Sequence, residues 1–146
     1  MYFDKDISIR IAKAVVGGTA LIIGGLIYIK YRSESLLMFD WFRGLGLTEY
    51  IEYFRNNDKT PNVYGWVKYN MPAGLWLFAY MYLIDSIWGK DNNIIYQCFL
   101  YILPFIAIIS ELMQYVGIVP GTYDYMDLLS YVFSIVLFII IKKGKL

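Results

Sequence analysis

Histidine is absent from this chain, and cysteine occurs only once. The absence of histidine excludes Ser-His-Asp and Cys-His catalytic sites, imidazole metal ligands and the most common proton shuttle. The single cysteine, Cys98, lies inside an apolar run and has no partner for an intrachain disulfide, so we interpret it as a small apolar side chain. Any chemistry must therefore use carboxylates, hydroxyls, amides, lysine, arginine or the backbone.

Charged residues are also scarce outside a few short segments. The chain has 13 lysines and arginines against 12 acidic residues, and this near balance points to neither an acidic nor a basic partner. No basic patch is interleaved with base-stacking aromatics, so we expect no nucleic-acid partner. Hydrophobic residues make up 59% of the chain and are concentrated in blocks. Soluble domains have about 45–50%, so the sequence predicts a small multi-pass membrane protein in contact with a lipid bilayer.

The apolar blocks predict a single all-α membrane domain over residues 1–146 with four transmembrane helices, at about 9–30, 73–88, 93–119 and 125–141. A signal peptide is the competing interpretation of the first block. We predict an uncleaved span instead, because Tyr28-Ile29-Lys30-Tyr31 follows the block where a small-residue cleavage site would be expected. Pro104 predicts a kink in the third span.

The long connection over residues 33–71 is amphipathic and rich in aromatics, and we expect it to form a folded cap over one mouth of the bundle. Leu36–Phe42 is typical of a short amphipathic segment at the membrane interface, which Gly44 and Gly46 would end. Thr48 can then cap a second short helix over Glu49–Arg55.

Orientation follows from the lysines and arginines. With four spans, both termini share a side with the predicted turn at Gly89–Asn92, and that side has seven basic residues against six on the other. Weighting the residues close to the span ends favours cytoplasmic termini. The long connection and the turn at Pro120–Tyr125 would then lie outside the cell. Asp85, near the end of the second span, is expected to reach toward Lys90 at the boundary.

A cluster of carboxylates is predicted near the outer face. Glu111 lies inside the third span with Gln114 one turn later, and Asp124 and Asp127 begin the fourth span. An ionisable side chain at membrane depth costs at least ~2.5 kcal/mol, which marks Glu111 as a functional candidate. With a rise of ~1.5 Å per residue, Glu111 should lie about two turns below a helix end near Val119.

Three interpretations of this cluster remain open. The structural one is a capping box, with Asp124 as N-cap and Asp127 at the third helical position, pinned by Glu111 and Gln114. The second is a binding site for a divalent cation, a polar headgroup or an amide-rich ligand. The third is catalysis, with Glu111 as base and Asp127 as acid or metal ligand. We expect no cofactor other than this possible cation.

Glycines on the first span form two pairs one heptad apart, at Gly17, Gly18, Gly24 and Gly25. Such a stripe of small residues allows another helix to approach closely. The partner helix can belong to a second copy of the chain, to another membrane protein or to the same chain.

Short motifs over residues 70–140 resemble the VanZ-like family of small bacterial membrane proteins. They are Pro72-x-Gly74-Leu75-Trp76, Glu111-x-x-Gln114 and Gly121-Thr122-x-Asp124-x-x-Asp127. Tyr131 and Ser134 stand where many members have Asn and Gly, which indicates a divergent member. The resemblance implies an association with low-level resistance to teicoplanin. We predict that the ligand-binding residues are Glu111, Gln114, Asp124, Asp127 and Trp76.

The function expected from these observations is that of a non-enzymatic envelope protein of a bacterial cytoplasmic (inner) membrane. It would bind a cell-wall precursor, a lipid or a partner protein at the carboxylate cluster. The alternatives are an intramembrane hydrolase or transferase acting on a lipid-linked or peptide substrate, and an accessory subunit that docks through the glycine stripe.

Overall fold

The computed structural model describes residues 2–56, 63–88 and 92–144, with side chains from residue 5 onward. Over this part of the chain all regular structure is helical, which confirms the all-α prediction. The helices are α1 (Tyr2–Tyr31), α2 (Leu37–Gly44), α3 (Thr48–Asn56), α4 (Gly65–Tyr69), α5 (Met71–Trp88), α6 (Ile94–Tyr115) and α7 (Tyr125–Lys143). Three of them contain stretches long and apolar enough to cross a membrane: Lys5–Tyr31 in α1, Ile94–Tyr115 and Tyr125–Lys143.

Helix α5 occupies the position of the predicted second span but is not among the three helices that qualify by length and composition. It is the centre of the bundle, since α1, α6 and α7 all pack against it. Met81 and Tyr82 of α5 form a buried core with side chains of α6 and α7, the largest being Tyr96, Leu100 and Phe138.

The glycine stripe of α1 is divided between two faces. A Cβ atom on Gly17 would lie 3.1 Å from the Ala79 carbonyl oxygen, and one on Gly24 would meet the Trp76 ring at 2.8 Å. These two glycines therefore allow α1 and α5 to pack closely within one chain. A Cβ atom on Gly18 or Gly25 would meet no described atom within 4 Å. Docking of a second helix on that face stays a prediction.

A second close crossing joins α5 to α7. A Cβ atom on Gly74 would lie 3.0 Å from the Ser130 carbonyl oxygen. The Ser134 hydroxyl, 2.7 Å from the Gly74 carbonyl oxygen and 2.8 Å from that of Ser130, donates its proton across this contact. Ser134, one of the two departures from the VanZ-like pattern, thus fastens the crossing.

The connection after α1 contains the two short helices that the sequence predicts, α2 and α3, and also α4, which it did not predict. The Arg55 guanidinium of α3 donates to the carbonyl oxygens of Ile29 and Arg32, and Lys30 donates to those of Phe54 and Arg55. These bonds fasten α3 to the end of α1. The interfacial position of this connection stays a prediction, and most of the predicted turn at Gly89–Asn92 lies outside the described residues.

Helix α6 ends at Tyr115, before the predicted end at 119. Gly117 adopts a left-handed conformation, with φ +75°. The Gly117 and Ile118 N–H groups donate to the carbonyl oxygens of Gln114 and Met113, which is the Schellman pattern of helix termination. Glu111 is consequently one turn from the helix end, where we had expected two. Pro104 is buried inside the helix.

Candidate functional site

The predicted cap at the start of α7 is present, but its second half comes from another helix. The Asp124 carboxylate accepts a hydrogen bond from the Met126 N–H at 2.9 Å, as an N-cap does. In a capping box the side chain at Asp127 would accept the Asp124 N–H. That N–H instead donates to Oε2 of Glu111 on α6, at 3.3 Å. Glu111, 6% exposed, thus completes the cap and joins α6 to α7.

Asn70 is a member of this cluster that the sequence did not predict. It follows α4, is 5% exposed, and its side-chain amide donates to Asp124 at 2.7 Å and to Asp127 at 3.0 Å. One amide therefore holds both carboxylates of the acidic pair. The sequence does contain a signal for this contact. Asn70 is the polar residue directly before the helix start at Met71-Pro72, and the predicted topology places that start at the same end of the bundle as Asp124 and Asp127. We call this side of the bundle the Asn70 end.

Gln114 lies against the turn between α6 and α7, and its predicted part in ligand binding stays a prediction. A Cβ atom on Gly121 would lie within 2.8 Å of the Gln114 side chain, so the Gln114 amide packs against the backbone of the turn. Gly121 has φ +140°, a conformation that other residues rarely adopt. Within the described part of the chain, no hydrogen bond joins the Gln114 side chain to the carboxylates. Gln114 thus shapes the turn that presents Asp124.

A cavity of about 280 Å³ opens beside the cluster, between α1, α5, α6 and α7. Its polar lining residues are Arg32, Asp127 and Tyr131, and we call this cavity the Arg32 pocket. Its apolar and aromatic walls are formed by Tyr28, Pro72, Ala73, Trp76, Leu77, Leu103 and Ala107. Tyr131, the other departure from the VanZ-like pattern, is therefore part of the pocket wall.

Arg32 is a cationic side chain of this pocket that the sequence did not single out. Its Nη2 atom donates to the Tyr69 carbonyl oxygen at 3.0 Å, and its guanidinium lies over the rings of Tyr28 and Tyr69. Its buried Nε–H has no hydrogen-bond partner among the described residues. Buried donors are rarely left unpaired in native proteins. Arg32 therefore brings a positive charge to the pocket lining, and one of its buried donors is left without a protein partner among the described residues.

The predicted binding residue Trp76 does lie in the pocket wall. Its indole stacks on Tyr28, with ring centroids 5.0 Å apart. Gly24 makes this position possible, because a Cβ atom there would lie 2.8 Å from the indole. The glycine stripe of α1 is therefore in direct contact with the wall of the Arg32 pocket.

The divalent-cation prediction gains no support from the arrangement of the side chains. Within residues 2–56, 63–88 and 92–144, no three acidic or cysteine side chains are grouped so as to hold a metal ion. The Asp124 and Asp127 carboxylates share the Asn70 amide, and Glu111 accepts a backbone N–H. Each carboxylate is thus hydrogen-bonded to an N–H donor of the protein. Binding of a divalent cation stays a prediction.

A second buried polar cluster, at the opposite end of α5, was missed by the sequence analysis. Asp85 is 3% exposed and pairs with Lys13 at 2.7 Å and Lys142 at 3.2 Å. It also accepts a hydrogen bond from the Tyr96 hydroxyl at 2.6 Å. These partners come from α1, α7 and α6, so one carboxylate joins all four long helices. We call this side the Asp85 end.

The expected partner of Asp85, Lys90, lies outside the described residues, so that expectation stays a prediction. The partners that the structure does describe include two lysines, from α1 and α7, that are far from Asp85 in sequence. The signal was present in the predicted topology, because four spans place Lys13 and Lys142 on the same side as Asp85.

Comparison with known proteins adds no family assignment. No family model matches the chain, and neither a curated protein nor a solved structure matches it. The similarity to VanZ-like proteins therefore rests on the short motifs alone.

Proposed function

We propose that the chain is a four-span membrane protein of the bacterial inner membrane with cytoplasmic termini, in which α5 spans the membrane together with α1, α6 and α7. Helix α5 has 18 residues and is packed by the three apolar helices. A helix surrounded by other helices needs less hydropathy than one facing lipid, because neighbouring side chains satisfy its polar groups. The ion pairs of Asp85 are such a case.

The function that the site supports best is binding of the polar end of a membrane-embedded amphiphile in the Arg32 pocket. The observation that carries this proposal is that a cation, Arg32, and a carboxylate, Asp127, both line one otherwise apolar cavity. Such a pocket, with few polar groups among aromatic walls, is typical of small-molecule sites.

The chemistry of the pocket restricts the ligand. Arg32 calls for an anionic group such as a phosphate, and Asp127 accepts from an N–H or O–H donor. The aromatic wall of Trp76 and Tyr28 accepts an apolar or sugar surface. A lipid-linked peptidoglycan precursor has all three features, since it combines a diphosphate, sugars, peptide amides and a polyprenyl chain. The resemblance to VanZ-like proteins supports the same class of ligand.

Binding is favoured over catalysis because only one of the two proposed catalytic carboxylates, Asp127, lines the Arg32 pocket. Asp127 lines the pocket, whereas Glu111 is hydrogen-bonded to the Asp124 N–H and is not a lining residue. A general base must reach the proton that it abstracts. The Arg32 pocket therefore offers one carboxylate, which is sufficient for recognition.

The test is equilibrium binding of a purified lipid-linked peptidoglycan precursor to the full-length protein in detergent. Arg32→Gln should weaken binding at least about tenfold, because a charge-assisted hydrogen bond is lost. Arg43→Gln is the matched control, since Arg43 is an exposed arginine of α2 paired with Asp40. The melting temperature of the Arg32→Gln protein, compared with that of the parent, checks that the loss of binding is not one of folding.

Equal affinity of the Arg32→Gln and Arg43→Gln proteins would contradict the proposal, as would failure of the parent protein to bind the precursor. A further readout is glycopeptide susceptibility. Deletion of the gene should change the inhibitory concentration of teicoplanin, and an unchanged value would remove the link to cell-wall precursors.

A further inference from the structure

A second cavity lies at the Asp85 end, between the start of α6 and the end of α7, and has a volume of about 280 Å³. We call it the Lys142 pocket. It is lined by Asn92, Tyr96, Gln97, Leu100, Tyr101, Phe138, Ile139, Lys142 and Lys143. The lining combines lysine, amide and phenol groups with apolar side chains, among which Leu100 and Phe138 are 1% exposed.

The Lys142 pocket carries an excess of positive charge. Asp85 contributes one carboxylate, which Lys13 alone can neutralise at 2.7 Å. Lys142 and Lys143 then leave two positive charges in excess. Among the described residues, no carboxylate lines this cavity. The pocket also adjoins the first turn of α6, whose dipole favours an anion.

The surroundings of the pocket are apolar. Phe105 follows the lining residue Tyr101 by four positions on α6, Val136 precedes the lining residue Lys143 by seven positions on α7, and both side chains are exposed. A cationic mouth on an apolar surface is complementary to an amphiphile with an anionic head. Basic pockets between transmembrane helices are known sites for anionic lipid headgroups.

We propose that the Lys142 pocket binds the phosphate of an anionic phospholipid. Lys142 and Lys143 would pair with the phosphate, while Gln97 and Tyr101 donate hydrogen bonds to the glycerol or headgroup oxygens. The acyl chains would follow the exposed faces of α6 and α7. This site is at the opposite end of the bundle from the Arg32 pocket, so the proposal does not depend on the function proposed there.

The experiment is a titration of fluorescently labelled phosphatidylglycerol with the full-length protein in detergent, followed by fluorescence anisotropy. Lys143→Gln should weaken binding about fivefold, since each lysine near an anionic lipid contributes about that factor. Lys142→Gln should weaken it at least as much. Lys5→Gln is the matched control, because Lys5 is an exposed lysine of α1 outside the pocket. It should leave the dissociation constant unchanged.

Lys142 also pairs with Asp85, so the Lys142→Gln substitution can destabilise the protein. The binding result for Lys142→Gln is used only if the melting temperature of that protein stays near that of the parent. If it does not, the test rests on Lys143→Gln. Competition separates the sources of the phosphate. Unlabelled phosphatidylglycerol should displace the probe, whereas phosphatidylcholine and inorganic phosphate should not. The proposal is overturned if phosphatidylcholine competes equally well, if inorganic phosphate displaces the lipid, or if the Lys143→Gln and Lys5→Gln proteins bind alike.

Discussion

The carboxylates at the two ends of α5 have different kinds of partners. At the Asp85 end, one carboxylate has two lysines and a phenol as direct partners. At the Asn70 end, three carboxylates are held by one amide and by backbone N–H groups, without an ion pair among the described residues. The carboxylate at the first end lies in direct ion pairs, whereas those at the second end do not.

This difference distinguishes a structural cluster from the binding site that we propose. Paired charges that join four helices hold the bundle together, and removing one partner leaves the others buried and unsatisfied. Unpaired charges beside an open cavity are kept at a cost to stability, as functional sites often are.

The largest effect is expected from Asp85→Asn. The substitution leaves Lys13 and Lys142 without their anion, and breaking a buried pair in this way costs about 3–5 kcal/mol of stability. The measurement is the unfolding free energy or melting temperature in a mild detergent. Asp40→Asn is the control, because the exposed Asp40–Arg43 pair should contribute only about 0–1 kcal/mol. Equal losses for the two variants would show that Asp85 is not structural.

A smaller loss of stability is expected from a substitution in the contact between α1 and α5, which places Lys13 beside Asp85. Gly17→Ala places a methyl group 3.1 Å from the Ala79 carbonyl oxygen, and overpacking of this kind costs about 1–3 kcal/mol. Gly18→Ala meets open space, so it should be neutral or slightly stabilising through better helix propensity. Melting of the two variants side by side provides the check. If Gly18→Ala is the more damaging one, its open face is in use by a partner.

The next effect concerns Ser134, midway between the two ends. Ser134→Ala removes the hydroxyl that reaches the Gly74 carbonyl oxygen, and the loss should be about 1 kcal/mol. Ser110→Ala is the matched variant, since the Ser110 hydroxyl bonds only within its own helix, to the Ala107 carbonyl oxygen. It should be nearly neutral. Identical melting temperatures for the two variants would mean that the α5–α7 hydroxyl bond adds nothing.

Local features of the fold were predictable from the sequence because they depend on neighbours in the chain. The starts of α2 and α3 and the N-cap at Asp124 follow from short-range patterns that the residues themselves display. The early end of α6 was also readable, because Gly117 is the residue type that terminates a helix in the left-handed conformation. The apolar run continues to Val119, but apolar character alone does not extend a helix past such a glycine.

The partners of the buried charges were not predictable, since they depend on how helices far apart in sequence rotate against one another. Asn70 meets Asp124 and Asp127 across more than 50 residues, and Lys142 meets Asp85 across a similar separation. A rotation of one helix by a single position would exchange these partners. Sequence patterns fix which face of a helix is apolar but not this register.

The most direct test of the distinction is the melting temperature of Glu111→Gln in detergent. Glutamine keeps an oxygen that can accept the Asp124 N–H, so the substitution removes only the negative charge. Because Glu111 lies in no ion pair among the described residues, the melting temperature should stay the same or rise. A clear fall, of the size expected for Asp85→Asn, would show that Glu111 is as structural as Asp85 and would contradict the account.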